Sequence, residues 1–273
     1  MYNIKCDTHT HTLFSRHAYS TIQENVKEAS DMGLELLVST DHFSDMLYPD
    51  HESTKHYQYL FTSPMTWPRE WMGVTLLSGC EADIVGLDGS LFGQNITVDK
   101  SIVGDPFKVP TTLYDHTTKN MDYVIASVHG KSFLKDATPS QMTEMYIKAL
   151  QQEKVFILGH IGRSGLPVDF RPIAEAAKSM NKLLEINEHS FSFDGGRNDE
   201  FSRNRCKQVL ETCADIGCHI SVATDAHISC LIGRFEETKK LLEEVHFPEE
   251  LIASRDKHSF LNALKLSGIK DLT

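Results

Sequence analysis

The chain has 273 residues, 40% of them hydrophobic, which is enough for one α/β barrel with a buried core. No apolar run approaches the roughly 18–20 residues of a membrane span, and no basic stretch followed by an apolar one opens the chain. We therefore expect a cytoplasmic protein without a signal peptide or a membrane partner. The formal net charge of −11 argues against extended nucleic acid as a partner, because no basic stripe accompanies it.

Seven short apolar runs, rich in β-branched residues, alternate with helical patterns along the chain. This alternation is typical of βα units around a parallel sheet, and the near-continuous apolar cores suit strands that are covered on both faces. The runs predicted as strands are IKCDTHTH (4–11), LELLVSTDH (34–42), VTLLSGCEADI (74–84), DYVIASVH (122–129), KVFILGH (154–160), KLLEIN (182–187) and HISVATDAH (219–227).

Helix signals occur between these runs. Ser20 and Thr21 precede Gln23 and Glu24 as a doubled capping-box pattern, Thr138-Pro139 opens a second helix, and Pro172 lies near the start of a third. The segments RFEETKKLLEEVHF (234–247) and KHSFLNALKLSG (257–268) are predicted as two closing helices. Residues Gly86 to Asn120 show few periodic cues, so we expect a long excursion there, of the kind that is often functional.

The six cysteines form no C-x-x-C pair, and a chain of this length does not depend on disulfides, so we expect reduced thiols in the core. Cys206 and Cys213 lie seven residues apart in a helical stretch and are expected to share its buried face. No repeat, low-complexity tract or linker interrupts the chain. We therefore expect one domain over residues 1–273, and a homo-oligomer is left open.

Metal-capable side chains lie at or just past the end of six of the seven predicted strands. The carboxyl ends of the strands of a parallel barrel converge on one rim, where active sites form. A single histidine at a strand end is ordinarily a core residue, but chance placement does not explain why all of them share one end. The residues are His9, His11, Asp41, His42, Glu81, His129, His160, Asp225 and His227.

Strand geometry predicts which of the neighbouring metal-capable residues point to the same side of a strand. Residues i and i+2 of a strand point to the same side, so Asp7, His9 and His11 are expected to project together. Asp225 and His227 are likewise expected to project to the same side. Asp41 and His42 are adjacent and point apart, so we expect His42 to be the ligand and Asp41 to orient it. The pattern favours a metal cluster.

The motifs DTHTH (7–11), HAYS (17–20), STDH (39–42) and TDAH (224–227), with Glu81 on a strand, resemble the PHP family, the polymerase and histidinol phosphatase superfamily. HAYST, the Trp67-Pro-Arg sequence, LEIN (184–187) and RFEE (234–237) resemble its YcdX-type phosphatase branch. The resemblance spans essentially the whole chain. It implies a distorted seven-stranded (β/α)7 TIM-like barrel, the PHP fold, that holds three metals, usually zinc or manganese.

Position by position, the resemblance implies nine metal ligands for three ions, and all nine positions are occupied. The implied ligands are His9, His11, Glu81 and Asp225 for the first ion, Glu81 as a bridge with His129 and His160 for the second, and His17, His42 and His227 for the third. The loops after the histidines at 129 and 160 differ from the branch, and the 86–120 segment is longer. The substrate is therefore less defined than the metal site.

Imidazoles with a few carboxylates suit Zn²⁺ best, with Mn²⁺ or Fe²⁺ as alternatives, rather than Mg²⁺ or Ca²⁺. A bridging carboxylate lets two cations lie roughly 3.5–4 Å apart, as in two-metal phosphatases. Three divalent ions against Glu81, Asp225 and one hydroxide leave a local charge of roughly +3, which favours a phosphate dianion even in an acidic protein.

These features predict hydrolysis of a small phosphoric monoester by a metal-bound hydroxide whose pKa is lowered to about 7. Asp225 or a water on the third metal is expected to protonate the leaving alkoxide, and sequence does not choose between them. Four side chains just beyond strand ends are candidates for binding the substrate, with His189 as a further one. The four are Lys131, Arg163, Asn187 and Arg197.

Three alternatives remain at this stage. An amidohydrolase also begins with H-x-H, but it bridges its metals through a lysine on the fourth strand, and the fourth run, DYVIASVH, has none. A non-catalytic regulatory barrel would explain the fold but not the full ligand set. A phosphoesterase or nuclease that acts on nucleotide ends would share the metals and differ in its substrate.

Overall fold

The computed structural model describes residues 2–48, 53–191 and 199–273. Within them, the strands fall where the apolar runs predict, with additional short strands in the connections. The strands are β1 (Cys6–Thr10), β2 (Leu36–Ser39), β3 (His42–Phe43), β4 (Glu70–Trp71), β5 (Val74–Asp83), β6 (Thr97–Lys100), β7 (Pro106–Thr112), β8 (Tyr123–Ser127), β9 (Val155–Leu158), β10 (Leu183–Asn187) and β11 (Ile220–Ala223).

Seven parallel strands form a nearly closed barrel in the order β1-β2-β5-β8-β9-β10-β11. The seam between β1 and β11 is joined by backbone hydrogen bonds from the Asp225 N–H to the His9 carbonyl (2.8 Å) and from the His11 N–H to the Ala226 carbonyl (3.0 Å). All residues of these seven strands are buried, as expected of strands that are covered by helices. The predicted seven-stranded α/β barrel is confirmed.

Several helices begin where the sequence provides caps. Thr21 and Glu24 form a complete capping box at α1, and Thr138 with Gln141 forms another at α4. Among the described residues, no helix has both the length and the apolar character that a membrane span requires. The helices are α1 (Ile22–Asp31), α2 (Gln58–Thr66), α3 (Leu113–Thr118), α4 (Pro139–Gln151), α5 (Phe170–Ser179), α6 (Asp199–Ile216), α7 (Glu236–Glu244) and α8 (Lys257–Leu266).

The 86–120 excursion contains more regular structure than its sequence indicates. Strands β6 and β7 pair antiparallel as a small separate sheet, and α3 follows directly. Strand β7 is largely exposed and contains two prolines, so it lacks the apolar alternation that marks a strand. Helix α2 was not predicted either, because it has no side-chain cap and contains Pro64.

An apolar cluster fills the half of the barrel nearest the strand starts. Tyr123 packs edge-on against Phe156 and against Phe260 of α8, with ring centroids 5.6 and 5.8 Å apart. The Tyr123 hydroxyl crosses the barrel and donates to the Thr8 carbonyl at 2.6 Å. Residues from both ends of the described chain, such as Cys6 and Leu264, pack in this cluster. One domain over residues 1–273 remains a prediction.

Candidate metal centre

The first group of metal-capable atoms lies on the barrel axis at the carboxyl end of β1. The Nε2 atoms of His9 and His11 are 3.0 Å apart, and Asp225 Oδ1 lies 2.9 Å from that of His11. Glu81 Oε2 lies 3.5 and 3.7 Å from the same two nitrogens. Tetrahedral coordination with bonds of about 2.0–2.2 Å places ligand atoms roughly 3.3–3.6 Å apart, so four buried side chains converge at a spacing that suits one ion.

The tautomers of His9 and His11 argue for a shared cation. His9 Nδ1 lies 2.8 Å from the Glu185 carboxylate, and His11 Nδ1 lies 2.9 Å from Ser15 Oγ, which donates its own proton to Asp41. As neutral rings, both imidazoles therefore carry their proton on Nδ1 and direct Nε2 lone pairs at each other. Two lone pairs 3.0 Å apart repel unless a proton or a metal ion lies between them. Although burial opposes them, the carboxylates around His9 raise the pKa of its imidazole well above its ordinary value, so a proton can take this place when no metal is bound.

Glu81 faces two groups of histidines with its two oxygens. While Oε2 faces the first group, Oε1 lies 2.7 Å from His160 Nε2 and 3.4 Å from His129 Nε2. This arrangement suits a bridging carboxylate between two ions. Glu81 Oε2 and Asp225 Oδ1 are buried and have no hydrogen-bond partner among the described residues, so both are available to a cation.

A third group of imidazoles lies nearest the solvent. His17 Nε2 lies 3.2 Å from His42 Nε2 and 3.1 Å from His227 Nε2. His42 also approaches Glu81, with Nδ1 2.7 Å from Oε2, so the three groups are contiguous. The structure thus brings all nine predicted ligand residues together at one mouth of the barrel.

Two carboxylates that hold the ligands were missed by sequence reasoning. Glu185 of β10 accepts from His9 Nδ1 at 2.8 Å and from the His160 N–H at 2.6 Å. Asp83 accepts from His129 Nδ1 at 2.6 Å. Asp83 lies two residues after Glu81 on β5, so period-two alternation could have found it, and Glu185 is a charged residue on a strand that is buried throughout. Such partners fix the ring orientation of metal-ligating histidines.

Asp41 acts on the first loop rather than on the His42 ring, for which the sequence predicts an orienting role. It accepts from the Thr12 N–H and from Ser15 Oγ, both at 2.7 Å. Ser15 Oγ in turn accepts from the His42 N–H at 3.1 Å and contacts His11 Nδ1. The carboxylate therefore positions the His11 ring and the His42 backbone through one serine.

Asp7 faces the seam of the barrel. It accepts from the Thr224 N–H at 3.0 Å, from Thr224 Oγ1 at 2.6 Å and from the Gly233 N–H at 3.1 Å. Burial raises its pKa to about 6, although these hydrogen bonds oppose the shift. Asp7 therefore holds the segment that presents Asp225, whereas strand alternation predicts that it projects together with His9 and His11.

The two carboxylates of the first group are held ionised. Burial alone would raise the pKa of Glu81 and of Asp225. The positive charge of the surrounding histidines, and of Arg163 beside Asp225, lowers these pKa values by more than burial raises them. Both pKa values therefore lie well below their ordinary range. An ionised carboxylate can ligate a cation or accept a proton. This state favours the ligand role of Asp225 over proton donation to a leaving group.

Two of the nine predicted ligand residues, His160 and Asp225, have a strained backbone conformation. His160 has φ +31° and Asp225 has φ +55°, and both values fall in the left-handed region that residues other than glycine rarely occupy. Each follows the end of a barrel strand, where the chain must turn sharply to direct its side chain into the mouth. Such strain concentrates at functional sites because the surrounding structure has to hold it in place.

A pocket of about 460 Å³ opens over the three groups. Arg163 lines it, and its side chain is only 10% exposed, with Nη2 2.7 Å from Asp225 Oδ2. Its Nη1 is buried without a partner among the described residues. The other lining residues are His17, Tyr19, His42, Met46, His129, His189, Asp225 and His227.

Asn187 and Lys131, two other predicted substrate contacts, are not among the described residues that line this pocket. Asn187 is fully buried beneath the site and donates to Glu185 Oε2 at 3.1 Å, so it supports a carboxylate that holds the ligands. Lys131 is exposed at the start of a short 3-10 turn and is not among the described residues that line the pocket. Arg197 lies outside the described residues.

Comparisons with known proteins agree with this architecture. The chain is 36% identical over 267 residues to a probable phosphatase of Clostridium botulinum, covering 97% of each protein. A structure of histidinol phosphate phosphatase from Lactococcus lactis, in complex with zinc, L-histidinol and phosphate, matches with a TM-score of 0.50 at 18% identity, over 89% of this chain and 94% of that one. A putative histidinol phosphatase from Listeria monocytogenes matches with a TM-score of 0.54 at 15% identity, over 86% and 99%. The model of the PHP domain matches residues 7–190, and the chain therefore belongs to the PHP family.

Proposed function

We propose that this protein, a phosphatase of the PHP family, hydrolyses small phosphoric monoesters with a cluster of three divalent metal ions. One observation carries the proposal: the two oxygens of Glu81 face two separate groups of histidines, and a third group of imidazoles adjoins them. A phosphoryl group needs several positive charges at close range, and a bridging carboxylate allows cations to lie that near to one another.

We assign the nine side chains, which lie within one contiguous cluster, to three sets as the resemblance implies. A bound cluster supplies Lewis acidity, which lowers the pKa of a coordinated water to about 7 so that hydroxide serves as the nucleophile, and which neutralises the charge of the phosphoryl oxygens. The sets are His9, His11, Glu81 and Asp225; Glu81, His129 and His160; and His17, His42 and His227.

One cationic side chain at the mouth of the barrel is suited to binding a phosphate dianion. Arg163 is held by Asp225 through Nη2, and its buried Nη1 has no partner among the described residues, so this guanidinium is our candidate for binding a phosphoryl oxygen of the substrate. A guanidinium that is already held in place loses little conformational entropy when it binds an anion. Because Asp225 is ionised, the leaving alkoxide takes its proton from another donor in the pocket, such as a water.

The donor set favours borderline metals. Seven of the nine residues are histidines, and imidazole suits zinc, manganese or iron better than magnesium or calcium. We place Zn²⁺ first, and the zinc-bound histidinol phosphate phosphatase of similar fold supports this order.

Metal removal and restoration test the proposal. The purified protein is stripped with a chelator and reconstituted with Zn²⁺, Mn²⁺ or Mg²⁺, metal content is measured, and phosphate release is assayed on a panel of monoesters and diesters. We expect about three bound ions per chain and turnover of monoesters only. Glu81→Gln should weaken metal affinity and lower turnover, each by more than about 100-fold, since even loss of an outer partner costs 10–100-fold in metal affinity or activity. Turnover of diesters alone, or full activity in the stripped protein, would refute the proposal.

A further inference from the structure

The outer wall of the pocket differs in chemistry from its floor. Histidines, Asp225 and Arg163 form the floor, whereas Tyr19 and Met46 contribute apolar surface at the mouth. The Tyr19 side chain is 72% exposed and Met46 is 42% exposed. Small-molecule pockets have volumes of about 300–1,000 Å³, so a pocket of about 460 Å³ has room for more than a phosphoryl group.

The backbone of Tyr19 is fixed although its ring is exposed. Its N–H donates to the carbonyl of the predicted ligand His227 at 2.7 Å. The next residue, Ser20, accepts from the Ser229 N–H through Oγ at 2.9 Å and from the Leu13 N–H through its carbonyl, also at 2.9 Å. The ring is therefore presented to the pocket by a turn that is tied to the metal-binding segment at both ends.

Core packing does not account for this placement, because an exposed aromatic ring stabilises the fold little. A ring and a thioether beside a polar floor are suited instead to contact with a flat apolar group by stacking and dispersion. Tyr19 and Met46 together have only one hydroxyl group, so they offer few hydrogen bonds to the several hydroxyl groups of a polyol.

We propose that Tyr19 and Met46 form the leaving-group subsite of the pocket and select phosphoric monoesters whose alcohol carries an aromatic ring. The inference rests on the proposed function and names the substrate class of that same site. The phosphoryl group lies at the histidine cluster and Arg163, and the ring of the alcohol then extends outward against Tyr19, with the flexible Met46 adapting to its shape.

The test compares 2-phenylethyl phosphate with ethyl phosphate, whose alcohols are of similar acidity, so that chemical reactivity does not decide the ratio. We expect kcat/KM to favour the phenylethyl ester by about tenfold, the size of an aromatic contact together with its burial. Tyr19→Ala and Met46→Ala should each reduce that preference toward one, and Tyr19→Phe should retain it because the ring persists.

Controls separate this inference from the proposed function. Met65 is 65% exposed on α2 and is not among the residues that line the pocket, so Met65→Ala should leave the preference unchanged. Metal content and melting temperature are measured for every variant. Equal kcat/KM for the two esters, or a preference that survives Tyr19→Ala, overturns the subsite while the phosphatase proposal stands. Failure to hydrolyse either ester overturns both.

Discussion

Replacing Glu185 by glutamine should weaken metal binding although the residue is not itself a predicted ligand. Its two oxygens accept three hydrogen bonds, from His9 Nδ1 (2.8 Å), the His160 N–H (2.6 Å) and Asn187 Nδ2 (3.1 Å). A glutamine has one oxygen and one NH₂ group. At least one of the first two donors would then face another donor, and the oxygen would no longer be charged.

The magnitude follows from these contacts. A hydrogen bond to a charged group contributes about 1.5–3 kcal/mol, and loss of a partner behind a metal ligand costs 10–100-fold in affinity, about 1.4–2.7 kcal/mol. We therefore expect Glu185→Gln to raise the dissociation constant of the most tightly bound ion by 10–100-fold. Competition with a chromogenic chelator measures this constant directly.

Glu188 provides the matched control. Its oxygens accept from the backbone N–H groups of Glu237 and Thr238, both at 2.8 Å, at the start of α7. Glu188→Gln should lower the melting temperature without changing metal affinity, because none of the hydrogen bonds that this carboxylate makes within the described part of the chain reaches a predicted ligand. An unchanged dissociation constant in Glu185→Gln, or an equal loss in Glu188→Gln, would refute the reasoning.

Three further predictions follow from the structure. Asp83→Asn removes the charged acceptor from His129 and should release one equivalent of metal on dialysis, which metal analysis detects; full retention would contradict the assigned role. Arg163→Met should lower kcat/KM for monoesters by about 10–100-fold through the lost phosphate contact, and an unchanged value would remove Arg163 from the binding site. Of the six thiols, only that of Cys230 is exposed, and burial raises the pKa of the Cys6 and Cys80 thiols, which makes them less reactive. A thiol reagent should therefore label one thiol in the native protein and six after denaturation.

The barrel was predictable because its strands are buried on both faces and appear in the sequence as short apolar runs. The rim was predictable for a related reason, since the carboxyl ends of parallel strands converge wherever they lie along the chain. His9, His160 and Asp225 could therefore be assigned to one mouth without knowledge of the loops that connect them.

The parts that were missed depend on contacts that local pattern does not encode. Glu185 lies within a strand, and its role arises only because β10 pairs with β9 and lies two strands from β1 across the seam. Asn187 ends a strand and Lys131 follows one, but the local backbone there decides whether a side chain faces the pocket, the interior or the solvent. The assignments of Lys131 and of Arg197 to the substrate stay predictions.

The first group of ligands spans the seam between β1 and β11, and this position links metal binding to closure of the barrel. Asp7 and Thr224, which bond across the seam, are 217 positions apart in the chain. An ion shared by His9 and Asp225 would join the same two segments and would stabilise the closed barrel by its binding free energy, because the unfolded chain does not hold these ligands together. During synthesis the complete set of ligands forms only after the last strand has left the ribosome, so full coordination would mark the completion of the barrel.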